Sequence, residues 1–115
     1  PSTTDYNGLY KGKYIDFEAK ETKNTSFPLR NIHNHQIEHL KRVIKHHGIC
    51  FLIVRFALKN ETYLLFGKDF IDFIENEDRK SVPLEYFKKY GYLIKDKLSP
   101  RVDYIEIIDK YGGIL

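Results

Sequence analysis

The chain has 115 residues, of which 42% are hydrophobic and 30% charged, with a formal net charge of +3. That length supports one domain, residues 1–115, with a core of its own, and the composition excludes a disordered, collagen-like or disulfide-stapled chain. No apolar run approaches the roughly 18 residues of a bilayer span, no signal peptide opens the sequence, and the one cysteine, Cys50, has no internal partner, which together fit a reducing cytoplasm and no membrane.

With no methionine and Pro1 first, the sequence reads as a processed or partial chain. Its charge is unevenly spread. Residues 1–60 carry ten Lys/Arg against five Asp/Glu, a net of +5, and residues 61–115 carry nine against eleven, a net of −2. A polyanionic partner is therefore expected on the first half.

In chain order, Thr3 to Tyr10 and Lys13 to Glu21 read as a β-hairpin closed by Lys11-Gly12. The return strand alternates, with Ile15, Phe17 and Ala19 on one face and Tyr14, Asp16, Glu18 and Lys20 on the other. Asn7-Gly8 is a rival turn with the stronger dipeptide signal. Asn24 to Leu29 is a polar connector. A helix is predicted over Ile32 to His47, with Asn31 as N-cap, Gly48 just past its end and an apolar stripe of Ile37, Leu40, Val43 and Ile44. Ile49 to Leu58 reads as a buried central strand, and Glu61 to Phe66 as its neighbour. Short helices follow at Lys68 to Glu75 and from Ser81 to Gly91, and Arg101 to Ile108 reads as a last strand. The order β-β-α-β-β-α-α-β is a mixed sheet with helices packed on it, an α/β or α+β domain.

The hairpin carries the chemistry. With Lys11-Gly12 as a two-residue loop, paired residue numbers sum to 23, so Asp5 faces Glu18 and Thr3 faces Lys20. Opposed residues share a face with Cβ atoms about 4.5–5.5 Å apart. Two carboxylates that close repel unless protonated or bridged by a cation, and an all-oxygen set favours Mg²⁺ or Mn²⁺ over zinc. Lys20 points to the same face, where its ammonium could neutralise charge on a phosphate. Asp16 flanks the cluster, and Gln36, at the inward N-terminal end of the helix stripe, could orient a metal-bound water or ligate through its amide oxygen. The bland alternative is an amphipathic hairpin with solvated charges, with Gln36 bonded to backbone.

Several runs also resemble a known family. Ser2-Thr3-Thr4-Asp5-Tyr6-Asn7-Gly8, Tyr14 through Lys23, Ser26-Phe27-Pro28-Leu29, His35-Gln36-Ile37, Gly48-Ile49-Cys50-Phe51, Glu61 through Leu65 and Pro100 through Tyr104 together resemble RecU-type Holliday junction resolvases. The first stretch is highly specific and the last third is looser. The resemblance implies the restriction-endonuclease-like fold of the PD-(D/E)xK nucleases: a mixed β-sheet flanked by helices. It implies a homodimer that cleaves four-way DNA junctions with Mg²⁺ (or Mn²⁺) in recombination, DNA repair and chromosome segregation, with recombinase and branch-migration proteins as further partners and a nucleoid-associated location. By position, Thr3, Asp5, Glu18 and Gln36 correspond to the metal site and Lys20 to the transition-state stabiliser. The connector before Gln36 is one residue shorter than the family pattern. The resemblance further implies an upstream region with an N-terminal helix, another active-site acid and the start of a stalk, on which activity and junction selectivity depend and which this sequence does not contain.

Lys11, Lys13, Lys23, Arg30, Lys41, Arg42 and Lys45 are candidates for DNA phosphate contacts, with a solvated face as the alternative. His33, His35 and His39 have spacing that can clamp zinc, but nothing in the sequence completes the site. Cys50 reads as inert core. Asn24-Thr25-Ser26 and Asn60-Glu61-Thr62 match the glycosylation pattern by chance in a cytoplasmic chain. Two rival functions remain: a binding module without nuclease activity, and a nuclease of the same superfamily acting on ends or nicks.

Overall fold

The computed structural model describes residues 6–95 and 100–111. Strands β1 (Tyr6–Tyr10) and β2 (Lys13–Thr22) form an antiparallel hairpin. Its turn residues Lys11 and Gly12 have φ of 50° and 80°. Positive φ at both positions marks the primed turn, whose twist matches that of the strands it joins. Pairing runs from Tyr6 opposite Phe17 to Tyr10 opposite Lys13, so each described pair sums to 23 as expected. The rival turn does not form: Asn7 and Gly8 lie inside β1, opposite Asp16 and Ile15.

From β2 the chain passes through β3 (Ser26–Pro28), a 3-10 turn at Leu29–Asn31 and helix α1 (Asn34–Lys45) into β4 (Ile49–Phe56), which lies parallel to β2. Strand β5 (Glu61–Phe66) pairs antiparallel with β4. Helix α2 (Gly67–Asn76), strand β6 (Ser81–Pro83), helix α3 (Leu84–Tyr90), strand β7 (Tyr92–Leu93) and helix α4 (Pro100–Tyr111) follow. The sheet order is β1-β2-β4-β5-β7, and β3 pairs separately with β6. The result is an α/β fold with a mixed sheet flanked by helices.

Strand β4 is covered on both faces, which explains its near-continuous apolar sequence. Cys50, Leu52, Val54 and Phe56 join Leu40 and Val43 of α1, Phe70 and Phe73 of α2 and Phe87 of α3 in one cluster. Ile49 and Phe51 turn the other way, toward Ile15, Leu64, Phe66, Ile94 and Ile108. Phe87 ties its cluster together through edge contacts to Phe56 at 5.1 Å and Phe27 at 6.4 Å between ring centroids.

Four expectations are corrected. Arg101 to Ile108 is helical, within α4, rather than a strand. Pro100 supplies the first helical residue, and Ile105, Ile108 and Tyr111 recur at a spacing of three, against the second core cluster. Ser81–Pro83 is a strand, so the following helix starts at Leu84 rather than Ser81. The connector 24–29 contains β3. The N-cap of α1 is His33, and Asn31 belongs to the 3-10 turn before it.

Candidate active site

The two acids on the polar face of β2 are not solvated. Asp16 is 0% and Glu18 1% exposed. The parallel register explains why: Asp16 lies beside Cys50, Glu18 beside Leu52 and Lys20 beside Val54, all on the sheet face that α1 covers. Burying carboxylates is costly unless each finds donors. Helix α1 supplies them from Gln36 and His39, three residues apart and so on one helix face.

Asp16 Oδ2 accepts the Tyr14 hydroxyl at 2.8 Å and meets His39 Nε2 at 2.6 Å. Burial, followed by the hydrogen bond to this carboxylate, pushes the Tyr14 phenol up to about 12. The Cys50 thiol, in register with Asp16, is pushed up to about 12, chiefly by burial and then by the Asp16 charge. Asp16 Oδ1 is buried and has no hydrogen-bond partner among the described residues.

Glu18 Oε1 accepts a hydrogen bond from Gln36 Nε2. The Gln36 carbonyl Oε1 accepts the His33 backbone N–H at 2.9 Å, closing the first turn of α1. One amide thus caps the helix and holds the carboxylate. In this arrangement it presents its nitrogen to Glu18, so acting as an oxygen ligand would require rotation of the amide and loss of both bonds. Lys20 is half-buried on the same face and forms no ion pair with a described residue.

The oxygen donors suit a hard divalent cation: two buried carboxylates on one strand, one of their oxygens uncommitted. Thr3 and Asp5, the other expected ligands, lie outside the described residues. Among the described residues no group of three or more His, Cys, Asp or Glu could hold a metal ion. That includes the histidine run: His33 and His35 stack on each other at 5.6 Å, while His39 is committed to Asp16.

The basic candidates divide. Lys11 pairs with Asp109 at 3.2 Å and Lys41 with Glu38 at 3.7 Å. Lys13, Lys23, Arg30, Arg42 and Lys45 are exposed and form no ion pair among the described residues. Sequence reasoning placed Asp16 beside the cluster but missed its pairing with His39. The available signal was the spacing of His39 from Gln36, which puts both on the face of α1 turned to the acids.

A mixed sheet whose central parallel pair is joined by a helix, with acids and a lysine spaced by two on one strand of that pair, is the restriction-endonuclease-like fold. The model of the family described as recombination protein U matches residues 1–110, and the chain belongs to this RecU family. Over 113 residues, 95% of this chain, it is 58% identical to a "Holliday junction resolvase RecU" of Bacillus cytotoxicus and 55% to one of a Geobacillus strain, WCH70. A protein of the same name from Bacillus cereus strain B4264 is 56% identical over the same length. The chain spans about half the length of these relatives, 56% in each case. No helix among the described residues is long and apolar enough to cross a membrane.

Proposed function

We propose that the protein is a Mg²⁺-dependent, structure-selective endonuclease that cuts four-way DNA junctions as a homodimer, in recombination and repair on cytoplasmic, nucleoid-associated DNA. The observation that carries this reading is the pair of buried carboxylates, Asp16 and Glu18, beside Lys20, which has no ion-pair partner among the described residues, on a face closed by α1. Buried charge of this kind is costly for stability and so points to a task. The names of the relatives point to the same substrate.

Each residue has a role in that reading. Glu18, with Thr3 and Asp5, would hold the cation. When bound, Mg²⁺ would activate a water and polarise the phosphate. Gln36 fixes the Glu18 carboxylate through its amide nitrogen and can turn its oxygen toward the ion. The Lys20 ammonium stabilises negative charge gathering on the phosphoryl oxygens. Helix α1 excludes bulk water from the face, which strengthens these electrostatic contacts. The exposed cations Lys13, Lys23, Arg30, Arg42 and Lys45 bind backbone phosphates, which supply affinity without reading sequence.

The test is Glu18→Gln in the protein as the cell makes it, assayed on synthetic four-way junctions, linear duplex and nicked duplex with and without Mg²⁺. Cleavage of the junction should be abolished while junction binding is kept. Cutting by the variant at the parental rate refutes the assignment. A parent that binds junctions and never cuts them establishes a binding module instead, and a preference for ends or nicks establishes a different nuclease.

A further inference from the structure

Beside the acids lies a recess of about 350 Å³, walled by Tyr14, His39, Arg42, Val43, His46 and Gly48. Three observations set it apart from an ordinary surface dent. Two of its walls, one from the sheet and one from α1, are fixed by the same buried group: Asp16 Oδ2 accepts from the Tyr14 hydroxyl and meets His39 Nε2. Its guanidinium, that of Arg42, forms no ion pair among the described residues. Its position is also specific. Its wall on the sheet, Tyr14, and Glu18 are four residues apart on one face of β2, about 13 Å along the strand. The recess is therefore displaced from the Glu18–Gln36 contact by a distance comparable with about two phosphate spacings on a DNA strand.

The ionisable groups around the recess are His39, Arg42, His46 and, behind Tyr14, the Asp16 carboxylate already engaged by two donors. An arginine with no ion-pair partner among the described residues matches the geometry of a phosphate. A tyrosine ring beside it offers a flat surface to a sugar or base.

We propose that this recess is a nucleotide subsite that takes a phosphate about two nucleotides from the scissile one, with Arg42 as its ligand and Tyr14 and His39 as its walls. The inference rests on the DNA-cleavage reading above and deepens it: Arg42 makes a contact in fixed register with the cut, and the other exposed cations do not.

The experiment uses the protein as the cell makes it and four-way junctions carrying one neutral methylphosphonate linkage at a time through the strand around the crossover. Binding is read by fluorescence anisotropy, and cleavage is followed in parallel. The parent should lose about tenfold in affinity when one particular linkage is neutral, the size expected for one charge-assisted contact. Arg42→Ala should lose about the same on the all-phosphate junction and nothing further at that linkage, with Arg42→Lys intermediate. Where cleavage is mapped, that linkage should lie about two linkages from the scissile one. A loss in Arg42→Ala that is the same whichever linkage is neutral overturns the subsite, whether or not the protein cuts. A single coupled linkage in a protein that never cuts leaves the subsite standing and removes the nuclease reading. A parent that binds no DNA removes both.

Discussion

Gln36→Leu tests how the buried acids are tolerated. The substitution keeps bulk and removes two polar groups, so Glu18 loses the Nε2 donor and the His33 N–H loses its acceptor. A hydrogen bond to a buried charge contributes about 1.5–3 kcal/mol, and a helix-start N–H left without its acceptor costs about 1 kcal/mol. The expected destabilisation is about 2.5–4 kcal/mol, which in a domain of this size lowers the melting temperature by about 10–20 °C. Urea unfolding in metal-free buffer should show it as a lower midpoint at unchanged slope. The informative partner is Glu18→Gln, which removes the charge. In the Gln36→Leu background it should recover most of the loss, giving a coupling energy of at least ~1.5 kcal/mol in the double-mutant cycle. Coupling below ~0.5 kcal/mol would refute the reasoning, since the two side chains would then not depend on each other.

Other outcomes follow from the same structure. Lys20→Met should slow junction cleavage about 100- to 1,000-fold while moving affinity less than about threefold, measured by single-turnover cleavage and anisotropy. Because the folded-state pKa of Cys50 is raised to about 12, its contribution is intact below pH 9 and is lost as pH climbs toward 12. At pH 10.5 this amounts to about 2 kcal/mol, so Cys50→Ala should lose that much less stability than the parent between pH 8 and 10.5 in urea titrations; parallel curves would contradict it. Gly67→Ala would place a Cβ 2.3 Å from Cys50 Sγ and 3.2 Å from the Cys50 carbonyl oxygen. Overpacking of this kind costs about 1–3 kcal/mol, readable as a lower midpoint in thermal unfolding, with partial recovery when Cys50→Ala is added.

The elements legible in the sequence are those whose period extends over many residues. The ten-residue alternation of β2, the stripe Ile37, Leu40, Val43 and Ile44 and the apolar run of β4 each specify an element, and the last two also its buried faces. The hairpin register was legible because a two-residue turn fixes it. Local signals were weaker. β3 and β6 are three residues each, too short for any period to register, and exist because they pair with each other. In α4 the β-branched Ile105, Ile107 and Ile108 suggested a strand, and tertiary packing overrode that propensity. In the candidate site, alternation identified the face of β2 holding Glu18 and Lys20. It could not say whether that face met water or a helix, so the burial of Asp16 and its bond to His39 emerged only in three dimensions.

The hairpin tip has a consequence for the strand that bears the acids. Tyr10 and Lys11 both bond Asp109 of α4, nearly a full chain length away in sequence. Ile108 meanwhile enters the cluster that contains Ile15, on the reverse side of β2 from Glu18. The last described helix therefore acts as a backing plate: α1 bears on one side of the strand and α4 on the other, so loosening α4 would soften the support of the acidic residues without touching any group that contacts them.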